Sequence, residues 1–514
     1  MLVKTFGSAV AGIRAFTVTV EVYMDQGIQF FMVGLPDNAV KESHHRIESA
    51  LRTNGYRIPG KKIIINMAPA DIRKEGSAYD LTLAVGILGA NQVIRTDNLA
   101  DYVIMGELSL DGGLVPIRGA LPIAIEARKN GFKGILLPLQ NAREAAIVKG
   151  IRVYGMPGIR EVIGFLNGDL RIDPVVIDGK EAFLQENGFD DFDFADVRGQ
   201  ENIKRALEIA AAGGHNVLLI GPPGSGKTMM AKRIPSILPP LNLMEALETT
   251  KIHSVAGKLA TGQSLIVRRP FRMPHHTVSD IALIGGGTIP HPGEVSMAHN
   301  GVLFLDELPE FKRSVLEVLR QPMEDRMVTI SRAKMTLEYP AGFMLVAAMN
   351  PCPCGFYSHP TITCQCSPAE IQRYINRISG PLFDRIDIHI EVQPVDYRQL
   401  SARRQSESSA EIRKRVIGAK SIQEKRFSAM ESIYCNAQIP SGKLRELCRI
   451  NETGDLLLKT AMEKLGLSAR AYDRILKVAR TVADLENSGD IRIEHLAEAI
   501  QYRSLDRLNW SEKN

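Results

Sequence analysis

No run of about eighteen uninterrupted apolar residues occurs in the chain, so no segment is expected to span a bilayer as a helix. The opening Met1-Leu-Val-Lys-Thr-Phe-Gly7 likewise lacks the long apolar core of a secretory leader. Both absences point to a cytoplasmic protein with no membrane partner. Cysteine is scarce: there are six, four of them between 352 and 366. That is no secreted disulfide framework, and in a reducing compartment such a cluster suggests metal or free thiols. A strong charge imbalance is missing too. The net charge of +5 and a pI near 8.7 are compatible with nucleic acid but too small to establish it. There is no internal repeat and no sustained low-complexity tract. What is present, 514 residues with 45% hydrophobic and 24% charged, is ordinary for a soluble chain of about three domains.

The most informative segment is Gly221-Pro222-Pro223-Gly224-Ser225-Gly226-Lys227-Thr228, which follows the apolar strand pattern Asn216–Ile220 and precedes a helical stretch. Glycines at this spacing let successive backbone N–H groups turn toward phosphate oxygens. Lys227 then reaches the β and γ phosphates, and the Thr228 hydroxyl ligates Mg²⁺. Downstream, Val302-Leu-Phe-Leu305 ends in Asp306 and Glu307. Asp306 is expected to hold the magnesium through water, and Glu307 to polarise the attacking water. A chance glycine-rich turn and a solvated acidic turn are the alternatives, and the order of the two segments argues against both. ATP and Mg²⁺ are the cofactors expected.

Residues 1–170 alternate strand and helix signals and read as an α+β module. Phe16–Tyr23 and Ile28–Val33, joined by Asp25-Gln-Gly27, are expected to form a hairpin; Lys62–Asn66 is a further strand and Leu81–Leu88 an apolar helix. The acidic stretch 171–195 reads as a connector. An α/β ATPase core is expected over 196–395, and a mostly helical region over 396–514.

Further residues would complete such a site. Phe343–Asn350 is a strand pattern ending in an amide that can sit between the γ phosphate and the water. Arg385, in Gly380-Pro-Leu-Phe-Asp-Arg-Ile-Asp387, lies at a module edge, where it can act on a neighbour's nucleotide. Arg470 lies in the helical region and suits a second sensor. Each arginine taken alone reads more readily as a surface salt bridge, a judgement that their order and spacing reverse.

With Phe271–Asp280, Ile284–Gly287, Pro292–Phe311 and Leu319–Glu324 added, the chain resembles the AAA+ magnesium chelatase-like family, in its ComM/YifB branch, over nearly its whole length. The resemblance implies a parallel-sheet P-loop module with a helical lid, a homo-hexameric ring, ATP bound between subunits, Arg385 donated in trans and Arg470 acting from the lid. It also implies a DNA helicase or branch-migration activity used in recombination during natural transformation. A chelatase-like ATPase that remodels a protein partner is the alternative.

Three features stand beside that reading. Met327–Glu338 reads as two short strands around a Ser-Arg-Ala-Lys tip; in the related family layout it faces the ring pore, where Arg332 and Lys334 would meet a DNA backbone. A solvated hairpin is the alternative. Residues 276–297 are expected to form a second pore-side insertion, with His275 and His276 as loop or core histidines and not metal ligands. Cys352, Cys354, Cys364 and Cys366 supply four thiolates from one loop after Asn350, a set that can enclose Zn²⁺. The N-terminal stretches 68–81 and 106–121 resemble the proteolytic domain of Lon proteases, with Ser77 at the nucleophile position. The base lysine of that family falls near Ala120, Leu121 and Pro122, none of which accepts a proton. The protease-like fold is therefore expected without the protease chemistry, Lys74 being the one displaced candidate base.

Overall fold

The computed structural model describes residues 1–177, 192–260, 262–287, 290–332, 335–357, 359–394, 406–430 and 433–503. Eighteen strands occur among them. In chain order they are β1 (Leu2–Ala11), β2 (Arg14–Asp25), β3 (Phe30–Val33), β4 (Lys62–Ala68), β5 (Tyr102–Ile104), β6 (Glu107–Leu108), β7 (Leu114–Val115), β8 (Gly134–Pro138) and β9 (Arg152–Met156). They continue as β10 (Val217–Ile220), β11 (Phe271–Arg272), β12 (Gly285–Gly286), β13 (His291–Pro292), β14 (Val302–Leu305), β15 (Met327–Arg332), β16 (Met335–Pro340), β17 (Met344–Met349) and β18 (Ile388–Glu391).

The first sheet runs β3-β4-β2-β1-β5-β8-β9. Alternation along β2 buries Val18, Val20 and Val22 on one face, against the wholly buried helix Asp80–Ala90. The expected hairpin between Phe16–Tyr23 and Ile28–Val33 does not form. β2 pairs antiparallel with β1 from Ala11↔Arg14 to Leu2↔Tyr23 and on its other edge with β4, so β3 is displaced to the sheet edge, parallel to β4. Period-two alternation identifies a strand's buried face but not its neighbour. β1, β5, β8 and β9 are mutually parallel, so this sheet is mixed, with helices threaded between its strands.

The second sheet, β11-β14-β17-β10-β18, is parallel throughout. Its central strands are fully buried runs, as a sheet covered on both faces requires. One face shares a core with the C-terminal helices: Leu219, Val346 and Ile390 belong to the same cluster as Val416, Val478 and Leu496. Most of the 171–195 stretch, 178–191, lies outside the described residues; on either side of it the Val175 amide donates to the Val153 carbonyl at 2.8 Å and Phe194 is fully buried.

Residues around the first sheet pack against the second module. The Gly119 amide donates to the Ser254 carbonyl at 3.2 Å, near the end of the helix Leu243–Val255, and Ile13, in the β1–β2 turn, packs on the core that contains Val328, Ile330 and Tyr339 of the β15–β16 hairpin. No helix among the described residues is long and apolar enough to cross a membrane.

Candidate active site

The parallel sheet brings the two nucleotide motifs together because β10 and β14 flank β17. Their C-terminal ends, and Asn350 just after β17, therefore open on one side. Gly226 (φ +90°) starts the helix Lys227–Ala231 in a conformation that glycine adopts without strain. Lys227 is buried and its Nζ donates to the carbonyls of Gly221 (2.7 Å) and Pro222 (2.9 Å) and to Asn350 Oδ1 (3.2 Å). Burial holds its pKa below the usual lysine range, with Asp306 and Glu307 opposing; phosphate oxygens would restore the charged form. Thr228 Oγ1 donates to Asp306 Oδ2 at 2.6 Å. A hydroxyl and a carboxylate at this separation, both hard oxygen donors, fit Mg²⁺, which takes few protein ligands and keeps its waters.

Glu307 sits in the left-handed region (φ +53°, ψ +49°). The turn takes its side chain off the β14 line into a position 59% exposed, with Oε2 3.3 Å from His276 Nδ1. Of the residues expected from sequence, Lys227 is thus hydrogen-bonded to Asn350 and its neighbour Thr228 to Asp306, and Glu307 adjoins them as the residue after Asp306.

The two arginines lie elsewhere. Arg385 has a nearly buried side chain, paired with Glu324 and donating from Nη1 to the Pro381 carbonyl at 2.6 Å. Arg470, at the start of the helix Ala469–Leu485, has Nη1 3.9 Å from Asp384 Oδ2 and is 58% exposed. Arg470 therefore meets the residue next to Arg385, while Arg385 itself is buried and paired within the chain instead of standing free at a module edge as expected. Deeper in the same region Arg474 pairs with the buried Asp387 at 2.9 Å. Burial alone would raise the Asp387 carboxyl, yet Arg474, His215 and the Asn216 amide hold it well below the usual carboxylate range.

Arg332 ends β15 and is exposed. Lys334 lies outside the described residues. β15 and β16 pair as far as Arg332↔Met335, so the tip is shorter than the Ser-Arg-Ala-Lys expected. The insertion over 276–297 contains the helix Asp280–Ile284 and the β12–β13 pair. It packs on the hairpin: a Cβ on Gly286 would lie 3.2 Å from Arg332 Nη2, and Tyr339 Oη donates to the Pro290 carbonyl at 2.7 Å. Cys352, Cys354, Cys364 and Cys366 converge, with all four sulfurs within 4.8 Å of one another.

In the first module Ser77 Oγ donates to the Glu107 carboxylate, and the buried Lys74 amine donates to the Pro69 carbonyl. Ala120, Leu121 and Pro122 are buried at the start of the helix Ala120–Lys129. Two residues of the nucleotide site escaped sequence reasoning. His276, which the sequence presents only as a loop or core histidine, stands against Glu307. Gln200, in left-handed backbone, donates from Nε2 to the carbonyls of Ser225 (3.2 Å) and Gln393 (3.1 Å) and so ties the phosphate loop to the chain after β18. The one available signal was Arg198-Gly199-Gln200 opening a helix ahead of the phosphate loop.

Three family models match: "Magnesium chelatase, subunit ChlI" over residues 193–400, "Subunit ChlI of Mg-chelatase" over 20–141, and "Magnesium chelatase, subunit ChlI C-terminal" over 406–503. Competence protein ComM of Haemophilus influenzae is 42% identical over 509 residues, 99% of this chain and 98% of that protein. The chain belongs to the ComM/YifB family of magnesium chelatase-like proteins. Another member, the uncharacterized protein YifB of Escherichia coli, is 44% identical over 97% of this chain and 96% of its own. Lon protease 2 of Bacillus subtilis is 32% identical over 126 residues, 24% of this chain. As a ComM/YifB protein the chain is an AAA+ ATPase by family, for which ATP and Mg²⁺ are the implied cofactors. The Lys227, Thr228 and Asp306 constellation fits both.

Proposed function

We propose that the protein is a homo-hexameric ATP-driven ring motor of the cytoplasm that acts on DNA as a helicase or branch-migration enzyme in recombination or transformation. The observation that carries the ATPase chemistry is the two hydrogen-bonded pairs Lys227–Asn350 and Thr228–Asp306 beside Glu307. Lys227 neutralises β and γ phosphate oxygens; Thr228, and Asp306 through water, would hold Mg²⁺, which would supply further positive charge there. Asn350 orients the water. Its oxygen attacks the γ phosphorus, Glu307 takes its proton, and the bond to the β–γ bridging oxygen breaks toward ADP. Arg385 acts on the nucleotide of the adjoining subunit, and Arg470 acts from the lid. In this reading residues 1–170 form a Lon-protease-like domain without protease chemistry, 171–195 a connector, 196–395 the motor and 396–514 the lid. The four clustered thiols hold a zinc ion in a structural role.

The DNA assignment is supported by the printed name of the Haemophilus relative, a competence protein, and by the exposed Arg332 on a hairpin packed against the β12–β13 pair. ATPase rate and DNA binding measured across a salt series, for the parent and for an Arg332→Ala/Lys334→Ala chain, test it. Sequence-independent binding that falls steeply with salt is expected, because each neutralised phosphate releases counterions. The double variant should keep basal hydrolysis and assembly and lose DNA stimulation. A parent that binds no DNA at low salt with ATP present overturns this reading in favour of remodelling a protein partner.

A further inference from the structure

From Pro351 to Ser367, between β17 and the helix Pro368–Ile375, the described residues form neither helix nor strand, and none from His359 to Ser367 is buried. A long stretch without secondary structure in a compact domain needs another source of order. This one turns its cysteines inward, Cys352 fully buried and Cys354, Cys364 and Cys366 half-buried.

A tetrahedral zinc with Zn–S bonds of about 2.3 Å sets its sulfurs about 3.8 Å apart. The sulfurs of Cys352 and Cys354 are 3.3 Å apart, those of Cys354 and Cys364 3.5 Å, and those of Cys352 and Cys364 3.7 Å. Backbone N–H groups support the thiolates: Cys354 N donates to Cys366 Sγ and Tyr357 N to Cys352 Sγ, each at 3.4 Å. Such donors orient metal ligands and stabilise their negative charge. A set of four soft sulfurs with no carboxylate selects zinc over magnesium.

The same loop touches the nucleotide site. Gly355 has φ +84°, and a Cβ there would fall 2.6 Å from Pro223 Cδ in the phosphate loop and 3.9 Å from Asn350 Cγ. We propose that the zinc centre of Cys352, Cys354, Cys364 and Cys366 clamps this loop onto Pro223 and Asn350, so that nucleotide binding and hydrolysis depend on the metal. The inference rests on the zinc-binding reading of the cluster and adds to it a specific task. Four ligands closing one loop replace the packing that the loop lacks, and metal binding free energy then becomes local folding free energy.

The test uses the full-length chain purified in reductant without chelator. Expected are one zinc per chain by elemental analysis, and the intense visible bands of tetrahedral thiolate coordination after replacement by Co²⁺. A Cys364→Ser/Cys366→Ser chain should lose the metal, become cleavable by protease within 351–367, and bind a fluorescent ADP analogue about tenfold more weakly. Gly355→Ala probes the clamp without touching a ligand. It should keep its zinc and weaken the same nucleotide by a comparable factor. Absence of both stoichiometric zinc and the Co²⁺ bands in the parent overturns the metal site and the clamp together. Stoichiometric zinc in the parent, with unchanged nucleotide affinity in both variants, overturns the clamp alone and leaves the metal site standing.

Discussion

Nδ1 of His276 lies 3.3 Å from Oε2 of Glu307, and His276 leads within a few residues into the helix Asp280–Ile284 and the β12–β13 pair that packs against Arg332. The proposed water-activating carboxylate and the proposed DNA-contacting hairpin are therefore linked by one short, continuous piece of chain. His276 is expected to act as a positioning residue for Glu307. His276→Ala should lower kcat by about tenfold with little change in KM, because only transition-state geometry is lost. His276→Asn, whose amide nitrogen takes the place of Nδ1, should recover part of it. Equal rates in the parent and the Ala chain would remove His276 from this role.

Glu307→Gln should leave ATP binding intact and reduce turnover by at least about a hundredfold, because the amide keeps the shape but takes no proton. Lys227→Ala should instead weaken nucleotide binding itself, since it removes the cation whose ammonium group sits within the phosphate loop, against the Gly221 and Pro222 carbonyls. Equilibrium binding of a fluorescent ATP analogue beside steady-state hydrolysis separates the two effects.

Arg385 is paired with Glu324 inside its own chain, and Arg470 leans on Asp384. Action on a neighbour's nucleotide requires assembly. Arg385→Ala should cost on the order of a thousandfold in turnover. Mixing Arg385→Ala chains with Lys227→Ala chains should regain some activity, because a fraction of interfaces then pairs an intact phosphate loop with an intact arginine. Mixed rings that form and stay inactive would place Arg385 outside the trans role.

His253 predicts an acid dependence of stability. Its ring is buried against the Met297 carbonyl, Nε2 to O at 3.1 Å, and burial, helped by Arg272, pushes its pKa down to about 4. The unfolded chain takes up a proton near pH 6.5 that the folded chain refuses, so stability is full above that pH and falls as the pH drops toward 4. Between pH 7 and pH 5 the loss is about 2 kcal/mol. His253→Gln keeps an N–H donor and does not titrate, so its urea midpoint should move less between the two pH values.

Where the chemistry depends on neighbours in sequence, it was legible. The phosphate loop, the carboxylates after β14 and Asn350 after β17 each follow a short apolar strand, and a buried parallel strand must deliver its C-terminal residue to the same edge of the sheet as its neighbours. The four thiols were legible for a similar reason, since they share one loop. The pairing of β2 and β3 expected from sequence does not occur, because alternation is the same whichever strand lies alongside. Only the pairing of β2 with both β1 and β4 shows that β3 has no place beside it.

By itself the sequence determined the chemical groups available: a glycine-rich loop ending in Lys227 and Thr228, two carboxylates after a buried strand, a thiol cluster and a family resemblance. The tertiary structure alone decided which of them meet. His276 reaches Glu307, Gln200 bridges Ser225 and Gln393, Arg470 sits beside Asp384, and Gly355 presses on Pro223. Each of these contacts joins residues far apart in the chain. Its existence depends on strand order and helix packing, which local pattern and spacing do not encode.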